Sequence, residues 1–106
     1  MAIAPVYSLL IFAEAGVDGL RVMSPPDGFR WVVRDIDVYA NVTFASREVH
    51  IIGSQGQTFA WWDWNTGDQA AFHWTGRQCI DPPGQLRVVT SDLVDVSISG
   101  YQLALP

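Results

Sequence analysis

Apolar and polar residues alternate along most of this chain with the period of two that belongs to β-strands. The clearest stretch lies near the C-terminus, where Val94, Val96 and Ile98 fall on one face and Asp95, Ser97 and Ser99 on the other. One face therefore meets a core, and the other meets water or a partner. Arg30 to Tyr39 is longer. Strict alternation there puts Val32, Ile36 and Val38 on one face and Trp31, Val33, Asp35, Asp37 and Tyr39 on the opposite one, and its length predicts a central strand.

Gly and Pro clusters at Pro25-Pro26-Asp27-Gly28, Gly53-Ser54-Gln55-Gly56, Asn65-Thr66-Gly67-Asp68 and Asp81-Pro82-Pro83-Gly84 supply the fixed or positive φ that turns require. Between them the pattern predicts strands at Val6 to Phe12, Leu20 to Met23, Arg30 to Tyr39, Val49 to Ile52, Thr58 to Trp64, Ala70 to Thr75, Leu86 to Thr90 and Val94 to Leu103. No segment holds a helical apolar period over ten residues, although Ala40 to Glu48 leaves room for one helical turn or a loop. About eight short strands with hairpin-like connections predict an all-β fold, a compact antiparallel β-sandwich of jelly-roll type.

At 106 residues the chain fits one domain spanning 1–106, with no repeat or linker, and can bury about 65% of its unfolded surface without a metal or disulfide staple. The charged fraction is 16%, against a usual value of about 25%, so little of the surface is committed to solvation by charge. The net charge is -5, and the six cations, all arginine, are scattered at Arg21, Arg30, Arg34, Arg47, Arg77 and Arg87. No basic cluster is present to follow a phosphate backbone, so no nucleic-acid partner is expected. The absence of lysine suits protein interfaces, where arginine and aromatic residues are enriched, and equally suits a GC-rich coding sequence. The apolar run from Val6 to Ala13 lacks basic flanks and is too short to span a bilayer, so no membrane insertion is expected. Cys79 is the single cysteine and reads as a small core or interface hydrophobe.

Chemistry is sparse. Asp35 and Asp37 share one face of a strand, roughly 7 Å apart. Paired carboxylates can hydrolyse glycosides or hold a hard cation, but they equally solvate an exposed face or pair with Arg34 or Arg87. His50 and His73 lack a second ligand at a recognised metal spacing. Neither a nucleophile elbow nor a phosphate loop is present. No catalytic residue, metal ligand or cofactor is assigned, and no enzymatic activity is expected.

The most distinctive stretch is Trp61-Trp62-Asp63-Trp64, followed by Phe72 and Trp74, which holds four of the five tryptophans. Alternation sets Trp62 and Trp64 on one face against Trp61 and Asp63 on the other. A two-layer sandwich has one inward face per strand, so either the strand is covered twice or an indole is left for a partner. Three readings stay open: burial at a subunit interface, which the composition favours; a carbohydrate platform assisted by Asp63, Asn65 or Gln69; and indoles that simply belong to the core with their N–H groups paired.

The runs Trp31-Val32-Val33-Arg34-Asp35-Ile36-Asp37-Val38-Tyr39, Trp74-Thr75-Gly76-Arg77-Gln78 and Val94-Asp95-Val96-Ser97-Ile98-Ser99-Gly100-Tyr101-Gln102-Leu103 resemble those of small virion proteins of tailed phages that infect actinobacteria. The resemblance extends from Arg30 onward, and its motifs are structural. It implies a multicopy minor tail protein or a capsid decoration protein, located in the virion, that binds neighbouring virion subunits and forms homo-oligomers. A module that attaches to host-surface glycan is the rival reading. Together, resemblance and composition single out Trp61, Trp62, Trp64, Trp74, Arg34, Arg77 and Tyr101 as contact residues.

Overall fold

The computed structural model describes residues 6–40, 47–64 and 70–106, and within them all side chains except those of residues 6–8, 47, 64, 70 and 92. These residues form six strands and no helix: β1 (Val6–Met23), β2 (Phe29–Ala40), β3 (Arg47–Ile52), β4 (Thr58–Trp64), β5 (Ala70–Ile80) and β6 (Leu86–Ala104). Most of the Ala40 to Glu48 segment and the turn expected at Asn65 to Asp68 lie outside the described residues. No helix of the described residues is long and apolar enough to cross a membrane.

All pairings are antiparallel, in the order β4-β3-β6-β2-β5, with β1 along the free edge of β6. The all-β architecture is that of a sandwich or flattened barrel built from one sheet that nearly closes on itself. The centre is β6, which pairs with three strands; β2, read from sequence as the central strand, lies beside it.

Six strands replace eight because two of the expected breaks are not turns. Along β6, Leu86, Val88, Thr90, Val94, Val96 and Ile98 are buried while Ser91 and Leu93 are exposed, and the strand continues through the expected break. In β1 the glycines Gly16 and Gly19, at φ 70° and 93°, sit at register shifts against β6. They act as bulges that bend a continuous strand. The bend lets β1 and β6 each serve two layers. Phe29–Tyr39 pairs with the C-terminal half of β6 and with β5, whereas Val49–Ile52 pairs with its N-terminal half and with β4.

Thr90 stitches this corner. Its hydroxyl donates to the Val17 carbonyl at 2.9 Å and accepts from the Gly19 amide at 3.1 Å, satisfying backbone groups that the bulge removes from the ladder. Arg21 reaches back across the bend to Glu14 at 3.0 Å.

The core is one cluster between the layers, with Val33, Ile36, Val38 and Ile98 from one and Val49, Ile51, Leu86 and Val88 from the other. Trp31 is buried with them and donates its Nε1–H to Gln102 at 3.0 Å. This corrects the strict alternation expected along β2. Trp31 and Val33 share the core with Ile36 and Val38 because the ladder shifts register at Arg34 against both neighbours, and one extra residue exchanges the faces. At the closing seam β4 meets β5 through aromatic rings. Phe59 packs edge-on against Trp74 at 5.3 Å between centroids, and Trp62 stacks on Phe72 at 5.9 Å. Arg30 forms a two-point ion pair with Asp81, at 3.1 Å for the Nη2 contact; that hydrogen bond and the adjacent charge raise its guanidinium pKa.

Cys79 is exposed, against the expectation of a buried thiol. It lies between the inward-facing Gln78 and Ile80 partners of Val33 and Trp31, so alternation turns it outward. One thiol per chain should therefore react with Ellman's reagent in native buffer. Reaction only after addition of urea would contradict this placement.

Candidate functional site

The two layers present outer faces of opposite character. On the β2-β5 side, the register sets Asp37 against His73 and Ser97, and Asp35 against Thr75 and Ser99. Nδ1 of His73 lies 2.6 Å from Asp37 Oδ1, Nε2 lies 2.6 Å from Thr75 Oγ1, and the Thr75 hydroxyl donates to Asp35 Oδ1 at 3.3 Å. The partners of the two carboxylates are thus His73 and Thr75, not Arg34 or Arg87. These groups sit directly across the β2-β5 ladder, whereas Arg87 pairs with Ile52 on the other layer. The cluster lies on an open face, with Asp37 64% exposed, so nothing there holds a substrate away from water. Among the described residues no group of three or more His, Cys, Asp or Glu side chains could hold a metal ion.

The β3-β4 side carries an apolar row flanked by Glu48, Asp63 and Arg87. One cross-strand row runs Leu20, Val89, His50, Trp61 over four adjacent strands, and Val22 and Ile52 flank Arg87 in the next. Trp61 is 58% exposed, Leu20 54% and Val22 47%. His50 stacks on the Trp61 indole, with centroids 5.4 Å apart and planes inclined 30°, and Glu48 holds the imidazole at 3.2 Å. Cross-strand stacking fixes the indole in place, so Trp61 is presented rather than loose.

The residues singled out from the sequence separate into distinct places. Trp61 stands on this apolar face. Trp62 and Trp74 are partly buried and pack against the core at the β4-β5 seam, and the Trp74 indole lies over Gly76, where an added Cβ would come within 2.6 Å of the ring. Trp64 ends β4, and its side chain lies outside the described residues, as do Asn65 and Gln69. Arg77 is exposed on β5 beside the register shift. Arg34 and Tyr101 come together in a shallow cleft on the polar side. Leu20, Val22, Ile52, Val89 and His50 were not singled out from sequence. Their signal was present only as apolar residues on both faces of short segments, which becomes legible once the β3-β6-β1 register is known.

No protein-family model matches the chain, and no curated protein matches it. Among solved structures, the chain is similar to several viral proteins. The chain is similar to the VP2 subviral particle of infectious bursal disease virus (14% identity, TM-score 0.39, 96% of this chain and 33% of that one). It is similar to the Gx strain structure of the same virus (11%, TM-score 0.39, 97% and 32%), and to the tobacco streak virus coat protein (6%, TM-score 0.38, 97% and 86%). The chain thus spans about a third of the length of the bursal disease virus chains it matches.

Proposed function

We propose that this chain is a non-enzymatic structural component of a phage virion, a multicopy minor tail protein or head-to-tail accessory that binds neighbouring subunits through the outer face of β3 and β4 that carries Trp61. Capsid decoration uses the same surface in the same way. The observation that carries the reading is the Leu20-Val89-His50-Trp61 row, with Leu20 and Trp61 exposed and Val89 and His50 half-buried, standing on one layer while the other layer's outer face is polar. The sequence resemblance to small phage virion proteins supports it.

The size of the face favours assembly in many copies over a single tight pair. A row across four strands measures about 14 Å, and a stable two-body interface needs about 800 Å² from each partner. Contacts of this size are weak singly and hold through repetition. A stacked and exposed tryptophan on such a patch is the expected anchor.

Trp61→Ala tests the proposal in purified particles. The side chain is mostly exposed, so its removal should change folding stability by no more than about 0.5 kcal/mol, whereas loss of a tryptophan anchor costs about 2 kcal/mol or more of binding. We expect at least a tenfold drop in copies incorporated per particle with the melting temperature unchanged, and normal incorporation for Asp37→Asn on the polar face. Incorporation of Trp61→Ala at the wild-type level removes the contact assignment.

A further inference from the structure

A cleft opens at the β2 register shift, apart from the Trp61 face. About 330 Å³ of space opens there between Leu9 and Leu10 of β1, Arg34 and Asp35 of β2, and Ser99 and Tyr101 of β6, a volume at the lower end of the range for small-molecule pockets. Gly100 forms part of the wall and holds β2 and β6 in close approach, since a Cβ added there would lie 1.9 Å from the Val32 carbonyl oxygen. The pocket is therefore shaped by backbone and not by a movable loop.

Arg34 supplies the strongest directional group. Its Nε–H is buried with no hydrogen-bond partner, and among the described residues its guanidinium forms no ion pair. The guanidinium lines the cleft, and its planar fork matches a carboxylate best. Asp35 stands beside it, fixed through Oδ1 by Thr75. A ligand that offered only a carboxylate would meet repulsion from Asp35, whereas one that also carries hydroxyl donors satisfies both side chains at once. The Ser99 hydroxyl adds a group that donates or accepts, and the Tyr101 ring and Leu10, itself 62% exposed, supply apolar surface for the C–H face of a ring.

We propose that this cleft binds a carboxylated sugar, a uronate or sialate residue of a glycan, with the sugar carboxylate on Arg34, its hydroxyls on Asp35 and Ser99, and a ring face against Tyr101. The site lies on the polar layer, apart from the Trp61 face, and needs no partner subunit.

The test is titration of the isotope-labelled full chain with glucuronate and with N-acetylneuraminate, followed by amide chemical shifts, with glucose and N-acetylaspartate amide as comparison probes. At least one acidic sugar should bind with a millimolar dissociation constant and shift the amides of Arg34, Asp35, Ser99 and Tyr101. Glucose and N-acetylaspartate amide should each bind at least tenfold more weakly. Arg34→Gln should weaken the acidic sugar at least tenfold; if that variant does not fold, Ser99→Ala gives the same reading with a smaller loss. Absence of binding by both acidic sugars overturns the proposal, as does equal binding of glucose. Equal binding of N-acetylaspartate amide also overturns it, in favour of an acidic side chain from a neighbouring protein.

Discussion

Gly100→Ala should lower stability by more than about 3 kcal/mol. The position pairs with Val33 where the β2-β6 ladder shifts register, and a Cβ there would lie 1.9 Å from the Val32 oxygen, 2.9 Å from its carbonyl carbon and 3.2 Å from the Arg34 nitrogen. All three atoms are backbone, so no side-chain rotation relieves the clash. β6 and β2 must separate, and their pairing positions Ile36, Val38, Val96 and Ile98 in the core. Overpacking in a well-filled interior costs about 1–3 kcal/mol when side chains can yield; with backbone on both sides the cost should exceed about 3 kcal/mol. A domain of this size holds about 5–15 kcal/mol in total. A urea titration followed by far-ultraviolet circular dichroism should show a midpoint well below that of wild type or no transition at all. An unfolding free energy within about 1 kcal/mol of wild type contradicts the close approach of these strands.

Thr90→Val should lower stability by about 1–3 kcal/mol, because it keeps the side-chain shape and leaves the Val17 carbonyl and the Gly19 amide without the partner they share. For a domain of about 100 residues each 1 kcal/mol moves the melting temperature by about 4–8 °C, so the expected fall is roughly 5–20 °C. Thr90→Ser keeps the hydroxyl, loses only a methyl group and should recover most of the difference. If the valine variant melts with wild type while the serine variant does not, Thr90 acts through packing and not as the stitch of the β1 corner.

Both substitutions fall at irregularities, and the irregularities mark the limit of what the sequence discloses. Regular stretches were legible: the faces of Val94 to Ser99, the opposition of Trp61 and Trp62, and an all-β fold with turns at Pro25 to Gly28, Gly53 to Gly56 and Asp81 to Gly84. The β6 alternation from Leu86 to Ile98 was legible too, but the polar Ser91-Asp92 pair resembles a turn, and a strand of 19 residues lies well beyond the usual 3–10. Gly16 and Gly19 look like turn glycines and act as bulges. Nothing in the identity of Arg34 marks a register shift, yet that shift exchanges the faces of β2, buries Trp31 and opens the cleft that Arg34 and Tyr101 line.

The candidate surface was legible in half. Alternation shows that Trp61 and Trp62 point apart, but which of them turns inward is decided by Val49 and Ile51 on the neighbouring strand, whose partners in the ladder are Trp62 and Ala60. The assembly of Leu20, Val89, His50 and Trp61 into one row depends on three strand registers, and no local pattern encodes a row that crosses four strands separated in sequence by up to 70 residues.

An electron-microscopy map of the purified particle tests the central claim most directly. In most copies the outer face of β3 and β4 should lie against a neighbouring subunit, with the Trp61 indole covered and the Asp35-Asp37-His73 face left to solvent. A map in which Trp61 faces solvent in every copy, with the subunit contacts made elsewhere, would contradict it.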